Sequence, residues 1–133
     1  MLEKLINKVP VIALDEASID EVIKYMVKKN VSSALIKDKS DKIVGIVTER
    51  DVLRNLSTLD VDRKLSRPIR VVMNRPVKFV RYEHLKEDIT KLSEENSVRH
   101  FPVILNEDDN SVDNLVGMIT ATDFFKYSLE SCF

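Results

Sequence analysis

Long hydrophobic runs are missing from this chain of 133 residues. No stretch approaches the ~20 apolar residues of a membrane span. The opening MLEKLINKVP carries Glu3, Lys4 and Lys8 where a secretory leader would carry an apolar block. Excess charge of one sign is missing too. The 21 Lys and Arg against 22 Asp and Glu leave a net charge of −1, so neither a nucleic-acid surface nor a membrane surface has a bulk electrostatic case. A single cysteine, Cys132, excludes an internal disulfide and suits a reducing compartment. Beside the C-terminus it reads as a frayed thiol, with an intermolecular bridge as the alternative, and the expected location is cytoplasmic. Two histidines, His84 and His100, with that one thiol make no metal-ligand set and no nucleophile–base–orienter arrangement, so no enzyme activity is expected. Glycine is scarcer than in most proteins of this length: Gly45 and Gly117 are the only two.

What is present is a repeat, and both glycines sit in it. Gly45 opens GIVTERD and Gly117 opens GMITATD, each reading Gly, two apolar residues, Thr, two variable residues, Asp. Glycines kept only at equivalent points of a repeat serve backbone conformation or the close approach of another group. A hydrophobic content of 44% beside 32% charge describes a soluble globular protein.

The same order of elements runs through both copies. In the first, residues 9–14 (VPVIAL) read as a buried strand. Ser18 with Glu21 forms a capping-box pattern. Ile19, Val22, Ile23, Met26 and Val27 mark one stripe of a helix, and Asn30 is its stop. Residues 31–36 and 43–48 read as a hairpin about a polar turn, and a helix follows from Asp51. In the second, residues 76–80 are the first strand and Leu85, Ile89 and Leu92 mark a helix. Residues 98–105 and 115–120 form the hairpin, and 123–129 begin the last helix. The longer hairpin loop, 106–114, reads as a solvated excursion; the ligand pattern of a calcium loop is absent from it.

The expected fold class is therefore α+β, two β-α-β-β-α repeats. Residues 1–8 are an N-terminal extension, 9–60 the first repeat, 61–73 a linker and 74–131 the second repeat. A copy of roughly 55 residues is too small for a sufficient core of its own, so the two are expected to bury their apolar faces against each other. Between them lie Arg63, Lys64, Arg67, Arg70, Arg75, Lys78 and Arg81 with no acid after Arg63. This run reads as a solvated linker and strand edge, or as a basic rim for an anion.

The Thr and Asp of each motif fall where a strand passes into a helix. An Asp there caps the helix, and a Thr there is an ordinary turn hydroxyl. The same groups suit a nucleotide: a carboxylate accepts from ribose hydroxyls, and a Thr hydroxyl with adjacent N–H groups holds phosphate. Arg50 adds a fork that fits phosphate, where the second copy has Thr122. Arg99 and His100, in VRHFPV, are an exposed Arg and a half-buried His at a strand entry, or part of a phosphate clamp.

GIVTERD and GMITATD, preceded by VSSALI and VRHFPV, resemble the tandem cystathionine-β-synthase (CBS) domain pair over essentially the whole chain. The resemblance implies a pseudo-twofold pair with two clefts for AMP, ADP, ATP or S-adenosylmethionine, each shared between the copies. It implies one cleft of Thr48, Arg50 and Asp51 with Val77, Lys78, Arg99 and His100. The other would use Thr120, Thr122 and Asp123 with Val11, Ile12, Ser32, Ser33 and Ala34. Aliphatic side chains would hold adenine, Asp the ribose and cations the phosphate. Ser32 and Ser33, where the second copy has Arg99 and His100, leave the second cleft weaker for polyphosphate. The function expected is a nucleotide-sensing regulatory module, a homodimer acting on a protein partner not named by the sequence. The alternative is a structural or oligomerisation module that binds nothing.

Overall fold

The computed structural model describes residues 2–56, 65–95 and 98–132. The expected linker positions 61–64, with Arg63 and Lys64, and the side chain of Cys132 lie outside what is described. The chain divides into two units, Pro10–Val77 and Met1–Val9 with Lys78–Phe133. Residues 2–9 therefore belong with the second copy of the repeat.

The first unit contains β1 (Ile12–Leu14), α1 (Ile19–Lys29), β2 (Ser33–Lys37), β3 (Ile43–Thr48) and α2 (Glu49–Leu56). β1 pairs parallel to β2, and β2 antiparallel to β3, with Ser33 opposite Thr48. The start of α1 follows from its sequence: Ser18 Oγ accepts from the Glu21 N–H at 3.1 Å. At its end Asn30 adopts a left-handed conformation (φ 53°) and its N–H reaches the Met26 and Val27 carbonyls, a conformation Asn tolerates better than most residues. Ile19, Val22 and Met26 are buried with Ile36, Val47 and Ile69 in one core. Val27 does not join the stripe expected of it and is 74% exposed: at 100° per residue it falls at the margin of the face that Ile19, Val22 and Met26 bury. The expected strand 9–14 is likewise shorter. Only Ile12–Leu14 pairs, and Val9 is exposed.

Residues 65–72 are built into this unit. The carbonyls of Arg67 and Leu65 accept from the N–H groups of Ile19 and Asp20, two donors that the first turn of α1 leaves without intrahelical partners. Ile69 donates to the Ala17 carbonyl at 2.7 Å and is fully buried. The arginines on either side of it, Arg67 and Arg70, are exposed.

The second unit contains β4 (Val80–Arg81), α3 (Leu85–Glu95), β5 (His100–Ile104), β6 (Leu115–Thr120) and α4 (Ala121–Cys132), with a 3-10 turn over Leu2–Leu5. Its sheet has the same order, β4 parallel to β5 and β5 antiparallel to β6, with His100 opposite Thr120. The strand expected at 76–80 is a two-residue segment, Val80–Arg81, displaced toward the helix. Phe101, Val103, Ile119, Val80 and Ile89 form the core, together with Leu2 and Ile6 from the start of the chain.

Two charged or polar features carry partners that the sequence reading did not show. Arg81 lies on the edge strand β4 with its side chain 38% exposed, and it is also ion-paired. Its Nε and a terminal nitrogen donate to both oxygens of Asp88 at 2.9 and 2.8 Å, and its backbone N–H donates to the same carboxylate. The hydrogen bond from Arg81 holds the Asp88 carboxyl below its ordinary value near 3.8, against the opposing effect of partial burial. Nor is the loop 106–114 simply solvated. Asn114 is buried, accepts from the Asn106 N–H, and donates to the Asn106 and Asp109 carbonyls. One side-chain amide thus adds to the backbone bonds that close the loop, from Leu105 to the Asn114 carbonyl and from Asp109 to the Asn106 carbonyl.

Two threonine–aspartate turns and the candidate site

β3 delivers Thr48 to the first residue of α2, and the carboxylate of Asp51 folds back onto it. Asp51 Oδ2 accepts from the Thr48 N–H at 2.9 Å and from its hydroxyl at 2.8 Å. Thr48 Oγ1 in turn faces the Asp51 N–H at 3.3 Å. In the second unit Asp123 Oδ2 accepts from the Thr120 N–H at 3.3 Å and hydroxyl at 2.9 Å, and Thr120 Oγ1 faces the Asp123 N–H at 3.2 Å. Each is a reciprocal cap of the Thr-x-x-acid kind. The first helical N–H is used too: Glu49 donates to the Ser32 carbonyl and Ala121 to the Arg99 carbonyl.

Capping is therefore present, but it consumes only half of each carboxylate. Among the described residues every hydrogen bond falls on Oδ2, and none reaches Oδ1 of Asp51 or Asp123. Both aspartates are half-buried. An ionised carboxylate held in this way offers a fixed acceptor that meets a hydroxyl donor without further ordering.

Within each unit the turn lies beside the entry of the central hairpin. Ser32 and Ser33 neighbour Thr48 in the first unit, and Arg99 and His100 neighbour Thr120 in the second. Arg50, Thr122, Lys78 and Arg99 are exposed. Ile12, Val77, Ser32 and His100 are half-buried, whereas Val11, Ser33 and Ala34 are buried and Val11 belongs to the core. Among the described residues no group of three His, Cys, Asp or Glu is placed to hold a metal ion.

The glycines have a physical reason. A Cβ on Gly45 would collide with Sδ of Met73, and one on Gly117 with the Asn7 carbonyl oxygen and, at 2.7 Å, with Cγ2 of Ile6. The residue after each glycine exchanges two backbone hydrogen bonds with an asparagine. Ile46 pairs with Asn74 at 3.1 and 2.8 Å, and Met118 with Asn7 at 2.9 and 2.7 Å. Both segments precede a repeat in sequence and close the sheet edge of the other copy. Sequence reasoning passed over Asn74, whose side chain reaches Asp51. The signal was the paired wording NKVP and NRP ahead of the two first strands.

The chain matches the model of the CBS domain over residues 2–58 and again over 69–130. It belongs to the CBS-domain family. The CBS pair is similar to an uncharacterized 17.7 kDa protein of Acidianus ambivalens, 29% identical over 113 residues (85% of this chain, 63% of that protein). It is also similar to the uncharacterized protein MJ1225 of Methanocaldococcus jannaschii, 36% identical over 122 residues (87% and 39%). It spans less than two thirds of either relative. Among solved structures, the CBS domain pair of protein MJ0100, in complex with 5′-methylthioadenosine and S-adenosyl-L-methionine, superposes with a TM-score of 0.73. That match has 24% identity and covers 98% of this chain and 97% of the other. Likeness at that identity carries the fold. No described helix of the CBS pair is long and apolar enough to cross a membrane.

Proposed function

We propose that this CBS pair is a regulatory module that binds an adenosyl ligand (AMP, ADP, ATP or S-adenosylmethionine) and acts as an energy or metabolite sensor. The observation that carries the reading is the Thr–Asp turn, built twice, with one carboxylate oxygen committed to the helix cap and the other left over. Asp51 and Asp123 accept from ribose hydroxyls through that second oxygen, with Thr48, Thr120 and Thr122 beside them. The half-buried Ile12 and Val77 offer apolar surface to adenine, backed by Val11 and Ala34. Arg50, Lys78, Arg99 and His100 meet phosphate, while Ser32 and Ser33 offer hydroxyls to a less charged group. That MJ0100 was solved with two adenosyl compounds supports the ligand class. Binding shifts a conformational or assembly equilibrium, felt by a second copy of the chain and by a protein partner. No step of this function is catalytic.

A melting series with AMP, ATP, S-adenosylmethionine and 5′-methylthioadenosine tests it. A ligand of the native state must raise the midpoint, by the equivalent of about 2.7 kcal/mol at a hundred times Kd. A flat midpoint with all four at millimolar concentration contradicts the reading and favours a structural or oligomerisation module.

A further inference from the structure

The two Thr–Asp turns differ at one atom. Asp51 Oδ2 accepts a third hydrogen bond, from Nδ2 of Asn74 at 2.5 Å. Asn74 is also the residue whose backbone exchanges two hydrogen bonds with Ile46, next to Gly45. Its neighbour Met73 is half-buried, lies over Gly45 and packs on the first core. One segment is thus held at three points: the backbone ladder, the packed thioether and the carboxylate. In the second unit Asn7 makes the same backbone exchange with Met118. Its side-chain oxygen instead accepts from the Val9 N–H at 3.1 Å, and no hydrogen bond joins it to Asp123 among the described residues.

We propose that Asn74 is a positioning residue for Asp51, and that it links the first Thr–Asp turn to the docking of the segment that joins the repeats. Asn7 has no such role for Asp123. With Thr48 N–H, Thr48 hydroxyl and Asn74 amide all on Oδ2, the plane of the Asp51 carboxylate is fixed and Oδ1 is aimed. Three donors from two chain segments hold that plane better than the two donors from one residue at Asp123. Whatever Oδ1 accepts from then stabilises the docked segment, and the docked segment strengthens that contact by the same factor. The two turns, alike in sequence, become one wired site and one unwired site. The ligand-linked half of the proposal rests on the function proposed above; the wiring itself does not.

The test compares Asn74→Ala with Asn7→Ala in the full chain, with AMP as the probe and backbone amide exchange read by NMR. Asn74→Ala is expected to weaken AMP at Asp51 by about tenfold, within the ordinary range of coupling between sites. Asn7→Ala leaves the affinity at Asp123 within about twofold, since no bond to that carboxylate is lost. In the wild type AMP raises the protection of the Ile46 and Asn74 amides and leaves Asn7 and Met118 unchanged. Equal losses in the two variants, or AMP bound at Asp51 without added protection at Ile46, overturns the proposal. If AMP binds neither turn, the functional reading fails for that ligand, and the wiring is decided without it. Faster exchange of the Thr48 amide in ligand-free Asn74→Ala supports the wiring, and unchanged exchange overturns it.

Discussion

The two copies of the repeat share a topology and a Thr–Asp turn, yet they are stabilised by different means around it. In the first, α1 starts at a side-chain cap, Ser18, and its next donors are met by residues 65–67. In the second, α3 follows a 3-10 turn over Tyr82–His84 that has no side-chain cap at its start, and the Arg81–Asp88 pair ties strand to helix instead. The first hairpin turns through a short loop around Asp38, which accepts from Ser40 and Lys42. The second needs the buried Asn114 to close a longer one. What the two halves share is the glycine that admits another segment and the Thr–Asp turn; what they do not share is the set of contacts that supports these.

The largest effect expected from breaking this comparison is at the glycines. Gly117→Ala forces a Cβ into the Asn7 backbone, which has no rotamer to move to. It should destabilise by about 2–3 kcal/mol, the upper range for overpacking. At Gly45→Ala the obstacle is the flexible side chain of Met73, and the loss of unfolded-state entropy offsets about 0.4–1 kcal/mol, so the net cost should be near ~1 kcal/mol. Chemical denaturation of the two variants checks the order, and a larger loss at Gly45 would contradict it. In ligand binding, Asp51→Ala should weaken the adenosyl ligand by about 1.5–3 kcal/mol, the scale of a hydrogen bond to a charged group, measured by calorimetric titration. Ser18→Ala should cost about 1 kcal/mol and should speed amide exchange at the start of α1 while leaving α3 unchanged.

Acid sharpens the same contrast. The Asp88 carboxyl is held below its ordinary value near 3.8 by Arg81. Its contribution to stability is therefore fully present above that ordinary value and is lost as the pH falls through the lower folded value. Asp88→Asn should be less stable than the wild type at neutral pH. The gap should close as the pH falls below about 4. A gap that stays constant from pH 7 to pH 2 would mean that the pair does not contribute through its charge.

Much of the fold was legible because periodicity and caps are local. β3 and β6 have the bounds the hairpin reading predicts, and Asn30 ends α1 as its residue type predicts. The first strands were overestimated. At 9–14 and 76–80 an apolar run is present, but only the residues that reach a parallel neighbour pair. The Thr–Asp turn was readable from its doubling, including both of its meanings, cap and acceptor. The strand-edge place of Arg81 was readable; its partner was not, because Asp88 is seven residues on, across a helix start. The exchange of segments was not readable from either copy alone. It depends on what lies over Gly45 and Gly117, and a glycine states that something approaches without stating what.

The central claim is that the oxygens left over on Asp51 and Asp123 hold the sugar of an adenosyl ligand. The direct measurement is a calorimetric titration of AMP into the wild type and into the Asp51→Asn, Asp123→Asn double variant, with circular dichroism confirming that both are folded. Asn keeps the shape and one acceptor oxygen but removes the charge. The account predicts saturable heat from the wild type and at least a tenfold weaker response from the double variant. Equal affinity in the two proteins would contradict it.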